Sequence, residues 1–326
     1  MALDGLVYYP DTQPGVLRQR RGRGFSYVAP DGTRIARGPE RRRIESLGIP
    51  PAYDDVWICP LGNGHLQATG RDARRRKQYR YHPDWTAQRD AQKYDQLADF
   101  AATLPALRRW ITAHLGDGIG EESTAIAAAL ALIDRASVRV GNPEYAAQND
   151  SYGATTLTDE HVDTQGALAK LEFTAKGGKT VRAELYGRKL ARVLDACQDL
   201  PGAEVLSWQD TAGTVRPLRS QQVNDQLRAI CGDTVTAKTL RTWNGTHAAW
   251  QAAMTSTGTP TIKAMAEAAS ERLHNTPAIA RKSYIHPAVI GLSDGTEPAR
   301  NALRSAKDAP GLRAGEAGLA AFLSAA

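Results

Sequence analysis

Four short segments of this chain carry side chains suited to work on a phosphodiester. Ser137-Val138-Arg139-Val140-Gly141-Asn142 closes an apolar stretch with an arginine. Phe173-Thr174-Ala175-Lys176 sets a lysine ahead of two glycines, at the tip of an expected hairpin. Lys238-Thr239-Leu240-Arg241-Thr242-Trp243 opens another apolar stretch with two cations three residues apart, on one face of a helix. His274-Asn275-Thr276-Pro277 then leads to Arg281-Lys282-Ser283-Tyr284. A phosphodiester under attack gains negative charge on its nonbridging oxygens. Forked arginine donors and an amide N–H can stabilise that charge. A lysine can protonate a departing oxygen. Tyrosine is a weak nucleophile at neutral pH, since a phenol titrates near ~10, and a strongly cationic pocket favours the phenolate. A tyrosyl ester keeps the bond energy, so resealing needs no ATP.

Other routes to such chemistry lack their residues. There is no GxxxxGK[ST] phosphate loop, no HExxH and no Cys/His cluster. Asp54-Asp55 and Glu121-Glu122 read as surface or helix-start residues, not as a magnesium pair. No metal and no cofactor are therefore expected. Cys59, Cys197 and Cys231 lie far apart and read as isolated buried thiols. The formal charge is +6 and the pI about 9.2. Arginines gather at Arg18 to Arg23, Arg41 to Arg43 and Arg71 to Lys77, a pattern that favours a polyanionic partner, nucleic acid first. No apolar run approaches membrane-spanning length and no apolar signal segment leads the chain, so no membrane partner and a cytoplasmic protein are expected.

Taken together, in this order and spacing, the four segments resemble the active-site motifs of the poxvirus-like, bacterial branch of type IB DNA topoisomerases. Gly64 to Ala73 and Lys77-Gln78-Tyr79-Arg80-Tyr81 are similar to that branch as well, and the likeness runs roughly from Gly48 to Pro287. The resemblance implies that Arg139 and Arg241 hold the scissile phosphate, that Lys176 is the general acid, and that Tyr284 attacks to form a 3′-phosphotyrosyl intermediate. Asn275 stands where the poxvirus enzymes have a histidine, nine residues ahead of the tyrosine (284 − 275 = 9). It has a second reading, as a cap for the helix that follows, with His274 as the true ligand. The resemblance also implies DNA contacts from Gln78, Tyr79, Tyr81, Tyr145 and Lys238. Half-buried sheet packing is the alternative for Tyr79 and Tyr81. The implied partner is duplex DNA, gripped by a monomer closing as a clamp, in a nucleoid-associated location. A tyrosine recombinase is the nearest rival, although its usual histidine is replaced here by Lys238 and its N-terminal domain is generally helical. A DNA-binding protein that keeps the shape without the chemistry is the rival from another class.

These residues need a scaffold, and the expected class is α+β. A small β-rich N-terminal domain, residues 1–86, precedes a larger, mainly helical catalytic domain, residues 87–326. Strands are expected at Phe25 to Val28, Val56 to Cys59, His65 to Thr69 and Gln78 to Tyr81, with Asn63-Gly64 as a hairpin signal. Gly38-Pro39 suits a helix start. Helical spacing resumes at Tyr94, Leu97, Phe100 and Ala101, then at Leu107, Trp110, Ile111 and Leu115, with Pro105 expected to separate two helices. Ala125 to Ile133, the stretch around Leu190 to Cys197, and Leu240 to Trp250 read as further helices, and Leu171 to Phe173 with Val181 to Ala183 as a hairpin. The alanine-rich tail from Glu316 reads as a terminal helix without chemical signal.

Overall fold

The computed structural model describes residues 5–200, 202, 204–294, 303 and 309–326, with the side chains of 90–92 outside the description. The chain divides into two compact units, residues 1–93 and 94–326, and the division falls within one long helix.

The first unit is built on a five-stranded antiparallel sheet. Its strands are β1 (Val16–Arg21), β2 (Gly24–Val28), β3 (Asp54–Ile58), β4 (Leu66–Arg71) and β5 (Lys77–Tyr81), in the order β2-β1-β3-β4-β5. Helix α1 (Pro39–Ser46) starts on a proline, as expected, and buries Ile44 with Val16, Tyr27, Val56, Ile58 and Ala68. Strand β1 lies within the arginine cluster, where a basic surface was expected. Arg18 instead donates to the carbonyls of Ile49, Pro50 and Tyr53 and lies 4.2 Å from the Phe25 ring centre. Arg43 likewise turns inward, to Glu40 and the Cys59 carbonyl. These cations tie loops to the sheet, so charge clustering overstated the free basic surface.

The second unit is mainly helical. Helix α2 (Pro83–His114) runs straight through Pro105, against the expectation of two helices. Leu97, Phe100, Ala101 and Leu104 before the proline and Leu107, Ile111 and Leu115 after it are all buried in one core. That continuous apolar stripe outweighs the ~3 kcal/mol a helical proline costs. Helices α3 (Glu122–Ala136) and α4 (Pro143–Asn149) follow. A three-stranded antiparallel sheet, β6 (Val162–Gln165), β7 (Leu168–Ala175) and β8 (Lys179–Tyr186), contains the expected hairpin and adds a strand to it. Helix α5 (Arg188–Gln198), the short strands β9 (Ser207–Gln209) and β10 (Val215–Pro217), and α6 (Ser220–Cys231) come next. Then α7 (Ala237–Thr255), α8 (Ile262–Leu273), α9 (Pro277–Tyr284) and α10 (Pro287–Gly291) carry the remaining motif residues, and α11 (Glu316–Ser324) ends the chain.

Helix α11 corrects the view of the tail as chemically silent. Glu316 is fully buried. Its carboxylate takes two bonds from Arg108, at 2.6 and 2.9 Å, and one from the Trp243 indole at 2.9 Å. Asp134 of α3, also buried, pairs with Arg108 at 3.1 Å and Arg313 at 2.7 Å. Burial alone would push the Glu316 carboxyl up. The bonds and charge of Arg108, joined by donors from Arg313 and Trp243, outweigh it and hold the group at about 2. Removing Glu316 would leave Arg108 with Asp134 but weaken the bonds of Arg108 and Trp243 to the terminal helix.

Glu316→Gln should therefore cost roughly 1–3 kcal/mol in urea unfolding. A carboxyl held below its ordinary value of 4.5 stabilises the fold fully above that pH, and the contribution is lost as pH falls toward about 2. The native chain should lose stability more steeply than Glu316→Gln across that window, and equal slopes would contradict this assignment.

Candidate active site

Each motif residue in the second unit reaches its place through backbone constraints that can be named. Helix α3 ends on Ser137 in a left-handed conformation, φ 54°. Asn244 of α7, itself buried, donates to the carbonyls of Ile133 and Asp134 and to the Ser137 hydroxyl, at 3.3, 3.1 and 2.9 Å. This side chain caps α3 from outside and aims the Arg139 segment. The carbonyls of Arg139 and Val140 accept from Ala154 and Thr155 at 2.8 and 2.7 Å. Gly141, at φ +105°, permits that approach, since a Cβ there would sit 2.8 Å from the Thr155 hydroxyl. Asn142 then caps α4, accepting from Tyr145 N–H at 3.1 Å, which leaves Tyr145 exposed on the first turn.

Arg241 lies on α7 and is almost wholly buried, at 3% exposure. One terminal nitrogen donates to the Leu273 carbonyl at 3.1 Å; Nε and Nη1 have no partner, and no carboxylate pairs with the group among the described residues. Its guanidinium carbon lies 5.5 Å from the centre of the Tyr284 ring. Burial, then the neighbouring charge of Arg139, bring this guanidinium down to about 10, with the Tyr284 phenol acting the other way. Arg139 and Tyr284 thus both act on the Arg241 guanidinium. Tyr284 is half-buried on the last turn of α9.

The corner between α8 and α9 separates the roles of His274 and Asn275. His274 takes the left-handed position that ends α8, φ 52°, and its Nε2 lies 3.0 Å from the Ala136 carbonyl. Burial is the main cause that lowers its pKa. A neutral ring donating to Ala136 is a structural fastening. Asn275 is buried, and both atoms of its side-chain amide lack a partner. It does not cap α9, because Thr276 does, accepting from Ile279 N–H at 3.3 Å.

The two lysines are placed differently. Lys176 stands at the β7–β8 turn, where Gly177 and Gly178 both have positive φ, +86° and +72°. It is exposed, and its ammonium lies 5.4 Å from the Tyr145 ring centre. Among the described residues it bonds neither arginine nor Asn275 nor Tyr284. Lys238 is exposed on the first turn of α7. In the first unit, Tyr79 and Tyr81 are 52% and 41% exposed and stacked on each other, with centroids 6.1 Å apart. Gln78 is half-buried and donates to Asp72 at 3.0 Å. Among the described residues no group of three or more His, Cys, Asp or Glu could hold a metal ion. No described helix is long and apolar enough to cross a membrane.

A β-sheet unit precedes a mainly helical unit in which a buried arginine lies against a tyrosine at a helix end. The comparisons with known proteins specify the class. Residues 76–280 match the family described as eukaryotic DNA topoisomerase I, catalytic core, and residues 24–72 match the bacterial DNA topoisomerase IB N-terminal domain. The chain belongs to the type IB DNA topoisomerases and is an isomerase of that class. It is 27% identical over 285 residues to DNA topoisomerase 1B of Acanthamoeba polyphaga mimivirus, covering 83% of this chain and 85% of that protein. Tyr284 lies four residues past the matched core (284 − 280 = 4).

The corner makes opposite predictions for two neighbours. His274→Ala removes a buried ring and its bond to Ala136, and should lower Tm by on the order of 5 °C. Asn275→Ala removes an amide with nothing to bond in the protein, and should leave Tm within about 2 °C of native. Thermal melts of the two variants check this, and a larger loss for Asn275→Ala would reverse the assignment.

Proposed function

We propose that this enzyme relaxes supercoiled duplex DNA by nicking one strand with Tyr284 and resealing it, without metal or ATP. The observation that carries this reading is Arg241. A cation nearly out of water, with two donor nitrogens unused and no carboxylate beside it among the described residues, is costly unless an anion arrives. A phosphodiester supplies that anion, and Tyr284, its ring centre 5.5 Å from the guanidinium carbon, is ready to supply an oxygen nucleophile.

In this reading Arg139 and Arg241 grip the nonbridging oxygens, and Asn275 adds its unused amide N–H to them. The Tyr284 oxygen attacks phosphorus. The phosphorus–5′-oxygen bond breaks as the tyrosyl bond to the 3′ phosphate forms, and Lys176 gives its proton to the leaving 5′ oxygen. Its turn, built on two glycines, lets the ammonium leave the Tyr145 ring for the DNA. The nicked strand rotates about the intact one, the 5′ hydroxyl attacks back, and the tyrosine is released. Residues 1–86 act as the DNA-binding domain through Gln78, Tyr79 and Tyr81, and residues 87–326 as the catalytic domain, aided by Tyr145 and Lys238. The two close around the duplex as a monomeric clamp on the nucleoid.

The direct experiment is plasmid relaxation with EDTA present, followed by denaturation to trap covalent complex. Native enzyme should relax both supercoil signs. Tyr284→Phe should give no adduct while binding DNA within a few-fold; an adduct with the phenylalanine variant would falsify the reading. DNA with sulfur at the 5′ bridging position needs no proton on its leaving group. Lys176→Ala should cleave it far better than normal DNA, and equal defects on both would move Lys176 to phosphate binding. In single-turnover cleavage Asn275→Ala should be slower by on the order of 10²–10³, with DNA affinity nearly native.

A further inference from the structure

The nucleophile sits at the end of its helix, where a side chain is least constrained by its own backbone. Beyond Tyr284, Ile285 is extended and buried. What holds this segment is α7. The Thr246 hydroxyl donates to the Tyr284 carbonyl at 3.1 Å and accepts from His286 N–H at 3.1 Å, so one buried oxygen bridges the backbone on both sides of Ile285. This is an unusual use of a helical threonine, whose hydroxyl commonly bonds back to its own helix. Thr242 and Thr255 of α7 do that, with the carbonyls of Lys238 and Gln251. Thr246 spends its single proton on Tyr284 instead.

Gly245 makes the reach possible. A Cβ there would stand 3.0 Å from the Tyr284 carbonyl oxygen, 3.2 Å from the Tyr284 Cβ and 2.7 Å from a Leu273 methyl. Alanine favours a helix interior over glycine by about 1 kcal/mol, so close approach, not helix stability, accounts for glycine here. Arg241 is one turn earlier on the same helix (245 − 241 = 4) and lies against the Tyr284 ring. We infer that Thr246, together with Gly245, is a positioning residue that holds Tyr284 in register with Arg241, so that cation and nucleophile are set by one rigid helix. The inference rests on Tyr284 being the nucleophile. A misplacement of about 1 Å in such an alignment costs on the order of 10²-fold in rate.

The test is single-turnover cleavage of a duplex oligonucleotide by full-length variants, with melting temperatures and DNA affinities alongside. Thr246→Val keeps the branched shape and deletes the hydroxyl. It should cleave about 10- to 100-fold slower than native while binding DNA within about threefold. Thr246→Ser keeps the hydroxyl and should recover cleavage to within about threefold of native. The valine defect should be the same on normal DNA and on DNA with a 5′ bridging sulfur, because placement of the nucleophile is lost and not proton donation. Gly245→Ala is the second variant, slowed similarly by pushing α9 away. The inference is overturned if either folded variant cleaves within threefold of native, if serine is as slow as valine, or if neither variant folds at assay temperature, which would make the pair structural. Tyr284→Phe runs in parallel: a covalent adduct there defeats the reading of Tyr284 itself, whereas its loss beside native-like Thr246→Val defeats only the positioning role.

Discussion

A guanidinium removed from water dominates the second unit. Arg241 has given up hydration for one carbonyl bond, and burial together with Arg139 weakens its hold on its proton. A charge in that state persists only where the surrounding structure is stable enough to support it. The helices around it supply the support: Trp243 and Trp250 of α7 are buried, and Trp243, Asn244, Thr246 and His247 bond neighbouring segments. The strain of a buried, underbonded cation is the expected mark of a site whose partner is an anion.

Helix α7 distributes this support residue by residue. Trp243 bonds Glu316 and so connects α7 to the terminal helix. Asn244 caps α3 and sets the segment that carries Arg139. Thr246 fastens the backbone behind Tyr284. His247 lies 3.0 Å from the Ala314 carbonyl. Four side chains close together on α7 thus reach three different parts of the chain, and two of them, Trp243 and Asn244, are within one turn of Arg241. Groups far apart in sequence acquire a common frame because a single helix is rigid over that length.

Charge in the first unit does structural work that composition cannot show. Arg18 and Arg43 satisfy loop carbonyls, the work of structural arginines. Tyr79 and Tyr81 lie exposed on the edge strand β5, with the Lys77 ammonium 5.4 Å from the Tyr79 ring centre. The alternation of the strand delivers both rings to one side, and the Lys77 ammonium beside them is paired with Asp11 at 2.5 Å.

The sequence by itself determined a good deal. Its motifs, in order, carried the family and the α+β class, because each cation and the tyrosine sits in a local pattern that survives without knowledge of packing. Alternation about a glycine turn placed the β7–β8 hairpin, and apolar spacing placed α3 and α7, since these signals are local. What the sequence missed depends on neighbours remote along the chain. Pro105 looked like a break, and only the stripe buried on both sides of it keeps α2 whole. Asn275 could be read as a cap until Thr276 took that place and His274 turned to Ala136. Glu316 looked inert in an alanine-rich tail; its partners Arg108 and Trp243 are 208 and 73 residues away. Asn244 and Thr246 carried no signal because a buried polar side chain acquires its purpose from the orphaned backbone group it meets. That meeting is decided by tertiary packing, where an unsatisfied carbonyl or N–H costs more than any local preference can return.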